Sequence, residues 1–345
     1  MSVPSPKDRL IAMIQASGPL SVATYMDLCL HDRQQGYYAT RPGIGEDFIT
    51  APEISQIFGE LIGLWAAHQW QQLGSPDRVT LVEIGPGRGT LMADALRAAA
   101  SVKGFSAACA LCFVEPSPVL QTRLSERFAS QNPRFLSGLE DVPVEHPIIL
   151  IANEWLDCLP VQQFLKVGEA WHERVVGLDD AGQLTLGLSS QALPPEISAP
   201  TIAEAIEIQP GLKTLSETLS ALFAQTPGRA LLIDYGPPES TPGDTLRSYK
   251  NGAQIDPLAA PGESDLTCDV DFARLVRLLK GQGLTASGPT SQSAFLLSMG
   301  AEARLNQLAK QHPDKADDLY EQVRRLVDPT DMGTRFQTVQ IASTP

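Results

Sequence analysis

The chain has 345 residues, 43% of them hydrophobic and 19% charged, enough to bury a substantial core in one large domain or in one domain carrying an elaboration. Its formal net charge of −14 repels a phosphate backbone on average, and no Lys/Arg run with interleaved aromatics offsets that, so nucleic acid is not the expected partner. No apolar stretch approaches the roughly 18 to 20 residues that span a bilayer, and Met1–Gly18 has neither a secretory nor a transit-peptide layout, so a cytoplasmic protein without membrane insertion is expected.

Residues 1–75 read as a helical lead-in followed by a substrate-side loop and a helix. Two helical patterns (Leu10, Ile11, Ile14, then Tyr25, Met26, Leu28, Cys29) end at Gly36-Tyr37-Tyr38. Thr50-Ala51-Pro52-Glu53 then opens an amphipathic helix with Ile54, Ile57, Phe58, Leu61, Ile62 and Trp65 on one face. Thr50 and Glu53 have the spacing of a capping box, and Pro52 falls in the first turn.

Residues 76–345 read as the main domain. The near-continuous apolar runs Val79–Ile84, Leu111–Val114, Ile148–Ala152 and Ala230–Ile233 alternate with helical segments, the pattern of a parallel sheet covered on both faces. An insertion at about 161–228 contains candidate antiparallel strands at Val161–Val167, Trp171–Val176 and Gln183–Leu188, the last after an Asp179–Gly182 turn, then the Pro-rich stretch Ala192–Pro200 and a helix around Leu212–Phe223. A polar, Pro/Gly-rich stretch at about 237–268 is long for a structureless loop, which suggests a binding or lid element. A helix near Asp271–Lys280, two more between Glu302 and Leu326, and the run Phe336–Ile341 close the chain.

Five cysteines (Cys29, Cys109, Cys112, Cys158, Cys268) are too scattered for a disulfide framework. Cys109 and Cys112 form a C-x-x-C inside an apolar run, with no second pair to complete a zinc site, and read as strand packing. His31, His68, His146, His172 and His312 show no triad or metal-ligand spacing, so neither a hydrolase nor a metal mechanism is expected.

The most informative segment is Glu83-Ile84-Gly85-Pro86-Gly87-Arg88-Gly89-Thr90, where an apolar strand ends in a carboxylate and a glycine turn leading into a helix. Glycines allow the tight turn and let a ligand reach backbone that side chains would shield. The spacing is one residue shorter than the dinucleotide G-x-G-x-x-G and no Lys-Ser/Thr pair makes a P-loop, which leaves S-adenosyl-L-methionine as the expected cofactor. The candidate cofactor residues are Glu83 for a cationic amino group, the turn residues Gly85, Pro86, Gly87, Gly89 and Thr90, and Glu115 with Pro116, where a carboxylate ending the next strand can hold a ribose diol. A plain structural strand-to-helix bend is the competing reading.

In this order the segments 47–56 with 58–61, 83–90, 114–118, 152–157 with 159–161, 233–236, 243–247, 265–267 and 332–336 resemble the bacterial members of the family of the mitochondrial complex I assembly-factor protein arginine methyltransferase. The resemblance implies a Rossmann-like α/β fold with a seven-stranded class I methyltransferase sheet. For the eukaryotic members it implies symmetric dimethylation of an arginine in a peripheral-arm subunit of complex I, so a protein substrate of that kind is the expected partner. The chain departs from the pattern where histidines are expected, carrying Asp269 and Gly252 instead.

An arginine acceptor stays protonated, so carboxylates should grip it by paired hydrogen bonds. Glu154 and Asp157 are the first candidates, with a helical turn expected to set both on one side, and Asn153 nearer the methionine end of the cofactor. Asp157 could instead organise the turn before Pro160, and Glu154 could bind cofactor. Glu53, otherwise a capping residue, and Tyr235, otherwise core packing, complete the catalytic candidates, while Arg247 and Asp265 lie in the long loop. Two other functions stay open: methylation of a carboxyl, hydroxyl or small amine, and a cofactor-binding assembly chaperone without turnover.

Overall fold

The computed structural model describes residues 4–40, 50–192 and 204–344. The Asp47-Phe48-Ile49 part of the resemblance and all but the first residue of the Pro-rich stretch Ala192–Pro200 lie outside them. The described chain forms two compact units, with boundaries other than the division at residue 75. One comprises Gly43–Leu156, Thr214–Glu239 and Asp271–Pro345, and the other Met1–Pro42, Asp157–Lys213 and Ser240–Val270.

The first unit is built on a seven-stranded sheet. Its strands in chain order are β1 (Val79–Ile84), β2 (Cys109–Val114), β3 (Arg134–Leu136), β4 (Ile148–Asn153), β5 (Gly228–Tyr235), β6 (Thr285–Ser291) and β7 (Phe336–Ala342). Across the sheet they run β6-β7-β5-β4-β1-β2-β3. The five strands β5, β4, β1, β2 and β3 are parallel neighbours, and β7 is antiparallel to both β5 and β6. Helices Thr90–Ala99 and Pro118–Arg127 make the crossovers β1 to β2 and β2 to β3. The chain therefore winds outward in two directions from β1 and β4, and the carboxyl ends of these two strands form the switch point at which open α/β sheets bind ligands.

All six residues of β1 are buried, and every residue of β4 but Asn153. Burial on both faces explains why these strands read as unbroken apolar runs. Cys109 and Cys112 lie in β2 as free thiols, matching the strand-packing reading.

The expected amphipathic helix is two pieces, Ala51–Ile54 and Gln56–Gln72, separated by Ser55 in an extended conformation (φ −150°, ψ 131°). The capping box is not formed. The Thr50 side chain makes no cap bond, and the Ala51 N–H donates to Glu154 Oε1 at 2.9 Å. Ser55 caps the longer helix through Ile57 N–H, which then buries Phe58, Leu61, Ile62 and Trp65 as the periodicity requires. This helix lies very close to Thr90–Ala99. A Cβ on Gly63 would sit 2.2 Å from the Ala95 carbonyl oxygen, and one on Gly59 would sit 2.8 Å from Asp94 Cβ. Between those glycines, Glu60 is 1% exposed and accepts from Arg97 (2.6 Å) and Arg304 (2.7 and 3.0 Å).

In the other unit, Ala170–Leu178 pairs with Gln162–Val167, Leu184–Ala192 and the short Leu20–Ser21, and Ala205–Ile208 extends the sheet beside Gln162–Val167. The three expected antiparallel strands are present, and Gly182 at φ +73° closes the predicted turn. Helices Pro6–Ser17 and Val22–His31 start on Ser5 and Ser21 caps. The stretch read as a long loop is partly ordered as a second sheet of Arg247–Lys250, Ala253–Ile255 and Asp265–Thr267. Asn251 (φ +53°) and Gly252 (φ +73°) form its hairpin turn, so the position where a histidine was expected demands a left-handed backbone that favours glycine. No helix among the described residues is long and apolar enough to cross a membrane.

Candidate active site

Strand register brings the predicted cofactor residues of the first unit to one edge. Glu83 is level with Phe113 of β2 and Ile151 of β4, so Glu83, Glu115 one residue beyond β2, and Asn153 at the end of β4 share the carboxyl edge. The turn after β1 is left-handed at all three glycines: Gly85 (φ +62°), Gly87 (+52°) and Gly89 (+73°). Its backbone is tied by Gly85 N–H to Val114 O (3.1 Å) and Gly89 N–H to Pro86 O (2.7 Å). Gly89 is the N-cap of the following helix and Thr90 its first residue. From the helix Pro118–Arg127, Arg127 donates to the Arg88 carbonyl at 2.8 Å and pins the turn from outside.

Buried polar atoms at this edge lack partners. Glu83 is 3% exposed, and its Oε2 has no hydrogen-bond partner among the described residues, as is also true of Asn153 Oδ1. Leaving such atoms unsatisfied costs about 1–3 kcal/mol each, more for a charge. Burial pushes the Glu83 carboxyl up to about 8, opposed only by the field of Arg127. Glu115, also buried, is pushed up to about 7, although its Oε1 accepts from Ser117 N–H at 2.8 Å. Two hungry acceptors beside a backbone cradle in left-handed conformation fit a ligand that brings a cationic amine and hydroxyl donors.

Beyond Asn153 the chain does not form the expected helical turn. Glu154 sits at φ +51°, its N–H donates to Ile233 O, and its Oε1 accepts from Ala51 N–H and from Asn153 Nδ2 (3.1 Å). The Trp155 indole lies on the glycine turn, with its Cδ1 3.2 Å from where a Cβ on Gly85 would be. Leu156 N–H donates to Asp234 Oδ2 at 2.7 Å. Sequence reasoning assigned no role to Trp155 or Asp234. Tyr235 ends β5 with its ring against Phe336 and the Arg335 guanidinium 5.3 Å above its face. Glu53 is exposed on the short helix Ala51–Ile54.

With Glu154 at φ +51° and no helix over residues 154–157, the helical pair expected of Glu154 and Asp157 is not formed, and Asp157 belongs to the other unit. There Asp157 Oδ2 accepts from the Thr267 hydroxyl (2.7 Å), and burial raises its carboxyl to about 6 against that hydrogen bond. Tyr38 donates to Asp265 Oδ1 at 3.1 Å, and burial with the nearby Asp265 and Asp157 charges holds its phenol well above the usual range. Arg247, read as a loop charge, pairs with Asp269 at 2.9 Å, so at the other position where a histidine was expected the aspartate serves an ion pair.

The sequence profile of a family described as S-adenosyl-L-methionine-dependent methyltransferases matches residues 61–290. The Homo sapiens and Danio rerio proteins named "Protein arginine methyltransferase NDUFAF7, mitochondrial" are 36% and 34% identical to the chain, over 95% and 97% of its length and 81% and 86% of theirs. The chain belongs to this methyltransferase family. A Burkholderia thailandensis protein crystallised with S-adenosyl-homocysteine superposes with a TM-score of 0.85 at 26% identity, covering 99% of this chain and 95% of that one. S-adenosyl-L-methionine is the cofactor of the methyltransferase. When bound, that group supplies an electrophilic methyl on a sulfonium.

Proposed function

We propose that this methyltransferase acts on arginine side chains of a protein, with a subunit of respiratory complex I as the substrate class to test first. The identity to proteins named protein arginine methyltransferases along 95% of the chain carries the reading, and the acidic edge supports it. In this reading the ionised Glu83 receives the cofactor's ammonium, Glu115 with Pro116 holds the ribose, and the backbone of Gly85–Thr90 lets the ligand approach closely. Asn153 is assigned to the methionine end.

Glu154 is the residue assigned to the acceptor. Its carboxylate follows Asn153 directly, and its left-handed backbone turns it out of the β4 ladder. A carboxylate there would hold a guanidinium in plane by paired hydrogen bonds and draw positive charge away from one nitrogen, leaving that nitrogen the better nucleophile. Tyr235 is a further assignment to the acceptor, and exposed Glu53 a weaker one. After transfer the nitrogen must lose a proton, which an ionised carboxylate can accept.

Purified protein incubated with methyl-labelled cofactor and candidate complex I subunits tests the reading. Label should appear in methylarginine after acid hydrolysis, and Glu154→Gln should lose it while keeping S-adenosylhomocysteine affinity. Label recovered only as methyl ester, or only on small molecules, would reject arginine as the acceptor.

A further inference from the structure

The edge of β5 holds a carboxylate that none of these assignments uses. Asp234 is 0% exposed. Its Oδ1 accepts from the N–H of Tyr235 at 2.8 Å and its Oδ2 from the N–H of Leu156 at 2.7 Å. The regular rungs between β4 and β5 stop with Glu154 N–H donating to Ile233 O at 2.9 Å. Two residues later the chain has left the sheet, and the buried Leu156 donates its N–H to the Asp234 carboxylate. That bond ties the departing chain back to the end of β5, and a bond to a charged acceptor is roughly twice as strong as a neutral one.

We propose that Asp234 is a positioning residue that holds the arch Glu154-Trp155-Leu156 over the cofactor turn. The arch is pinned at both feet, by Ile233 O at Glu154 and by Asp234 at Leu156. Between the pins, Glu154 keeps a left-handed φ of +51°, a conformation unfavourable to a non-glycine residue that persists only where neighbours enforce it. Trp155, at the crown, is thereby laid against Gly85. The same carboxylate fixes the Tyr235 N–H, so one buried group sets the backbone on both sides of the edge. It acts through the arch rather than by touching ligand. This inference rests on the cofactor seat at Gly85–Thr90 and is independent of what the acceptor is.

The test uses Asp234→Asn, which keeps the side chain's size but presents an NH2 to one of the two N–H groups. Trp155 emission is isolated by subtracting the Trp155→Phe protein, and S-adenosylhomocysteine is titrated into each variant. The wild-type Trp155 signal should respond to the ligand. In Asp234→Asn that response should fall by more than about half and affinity by about tenfold, the size expected from a small misplacement. An unchanged Trp155 response and unchanged affinity in a folded Asp234→Asn protein, whatever its melting temperature, would overturn the proposal. Gly87→Val separates the two claims: loss of binding there with no effect of Asp234→Asn rejects the positioning role alone, whereas undiminished binding rejects the seat and with it the arch. Should Asp234→Asn fail to fold, amide exchange of the wild-type protein decides. Leu156 and Tyr235 amides as protected as those of β4 and β5 support the role, and a Leu156 amide exchanging at loop rates overturns it.

Discussion

Glu60 and Glu83 lie in the same unit and are almost equally shut away from water, at 1% and 3% exposure, yet burial leaves them in opposite states. Glu60 sits between two arginines, which hold its carboxyl below the ordinary range despite desolvation. Glu83 feels only the field of Arg127, keeps its buried Oε2 without a hydrogen bond among the described residues, and is pushed up to about 8. A satisfied buried charge fixes helices; an unsatisfied one at the carboxyl edge of a parallel sheet is prepared for something that arrives later. The distinction between scaffold and site in this protein is thus a distinction in who completes the hydrogen bonds.

The largest expected effect breaks the scaffold half of the comparison. Gly63→Val places a side chain within the Ala95 backbone, where a Cβ alone would be 2.2 Å from the carbonyl oxygen. Forcing apart the helices that carry Glu60 and Arg97 should cost about 3 kcal/mol or more, read as a lower denaturant midpoint. The next pair sharpens it. Glu60→Gln should lose about 1.5–3 kcal/mol of stability at neutral pH and leave S-adenosylhomocysteine affinity unchanged in calorimetry. Glu83→Gln should do the reverse, holding or gaining stability at about pH 8 while losing about ten- to a hundredfold in affinity.

The two glutamates also give opposite pH slopes. The folded-state value of Glu83 is raised, so its contribution to stability is full below the unfolded value and is lost as pH rises through about 8. Glu115 adds loss in the same direction through about 7. Glu60, whose value is lowered, contributes above the unfolded value and loses that contribution as pH falls through its lower folded one. Unfolding free energy measured by urea titration should therefore decline from about pH 5 to about pH 8, and Glu83→Gln should flatten the upper part of the decline. A smaller effect concerns Asp157 in the other unit, whose carboxyl burial raises to about 6. Its contribution to stability is lost as pH rises through about 6, so Asp157→Asn should remove a small part of the decline below that pH.

Much of this contrast is visible in the sequence, and the remainder is not for definite reasons. Strands β1, β2, β4 and β5 are legible because burial on both faces writes them as unbroken apolar runs, and the turn is legible because glycine adopts its three left-handed positions without the cost a side chain would add. Strand β3 is three residues long, and β6 is the polar sequence Thr-Ala-Ser-Gly-Pro-Thr-Ser, so neither carries an apolar signature. The stretch 237–268 looked unstructured because its strands are of three or four residues separated by turn-forming ones. Within the site, Glu83, Glu115 and Asn153 could be placed because each ends or follows a legible strand. The break at Ser55 and the role of Asp234 could not, since both depend on a partner more than seventy positions away: Glu154 replaces the local cap at Ala51, and Asp234 takes the N–H of Leu156. The same limit explains the helical turn expected at Glu154–Asp157, where local spacing is overruled by the Ile233 and Asp234 contacts.

Calorimetric titration of S-adenosylhomocysteine at about pH 6.5, repeated in two buffers of different ionisation enthalpy, tests the central claim most directly. Binding should drive Glu83 from its protonated to its ionised form, so the wild type should release close to one proton more per ligand than Glu83→Gln, which should also bind more weakly. Equal proton release and equal affinity in the two proteins would contradict the assignment of Glu83, and with it the account of why its Oε2 is buried without a hydrogen bond among the described residues.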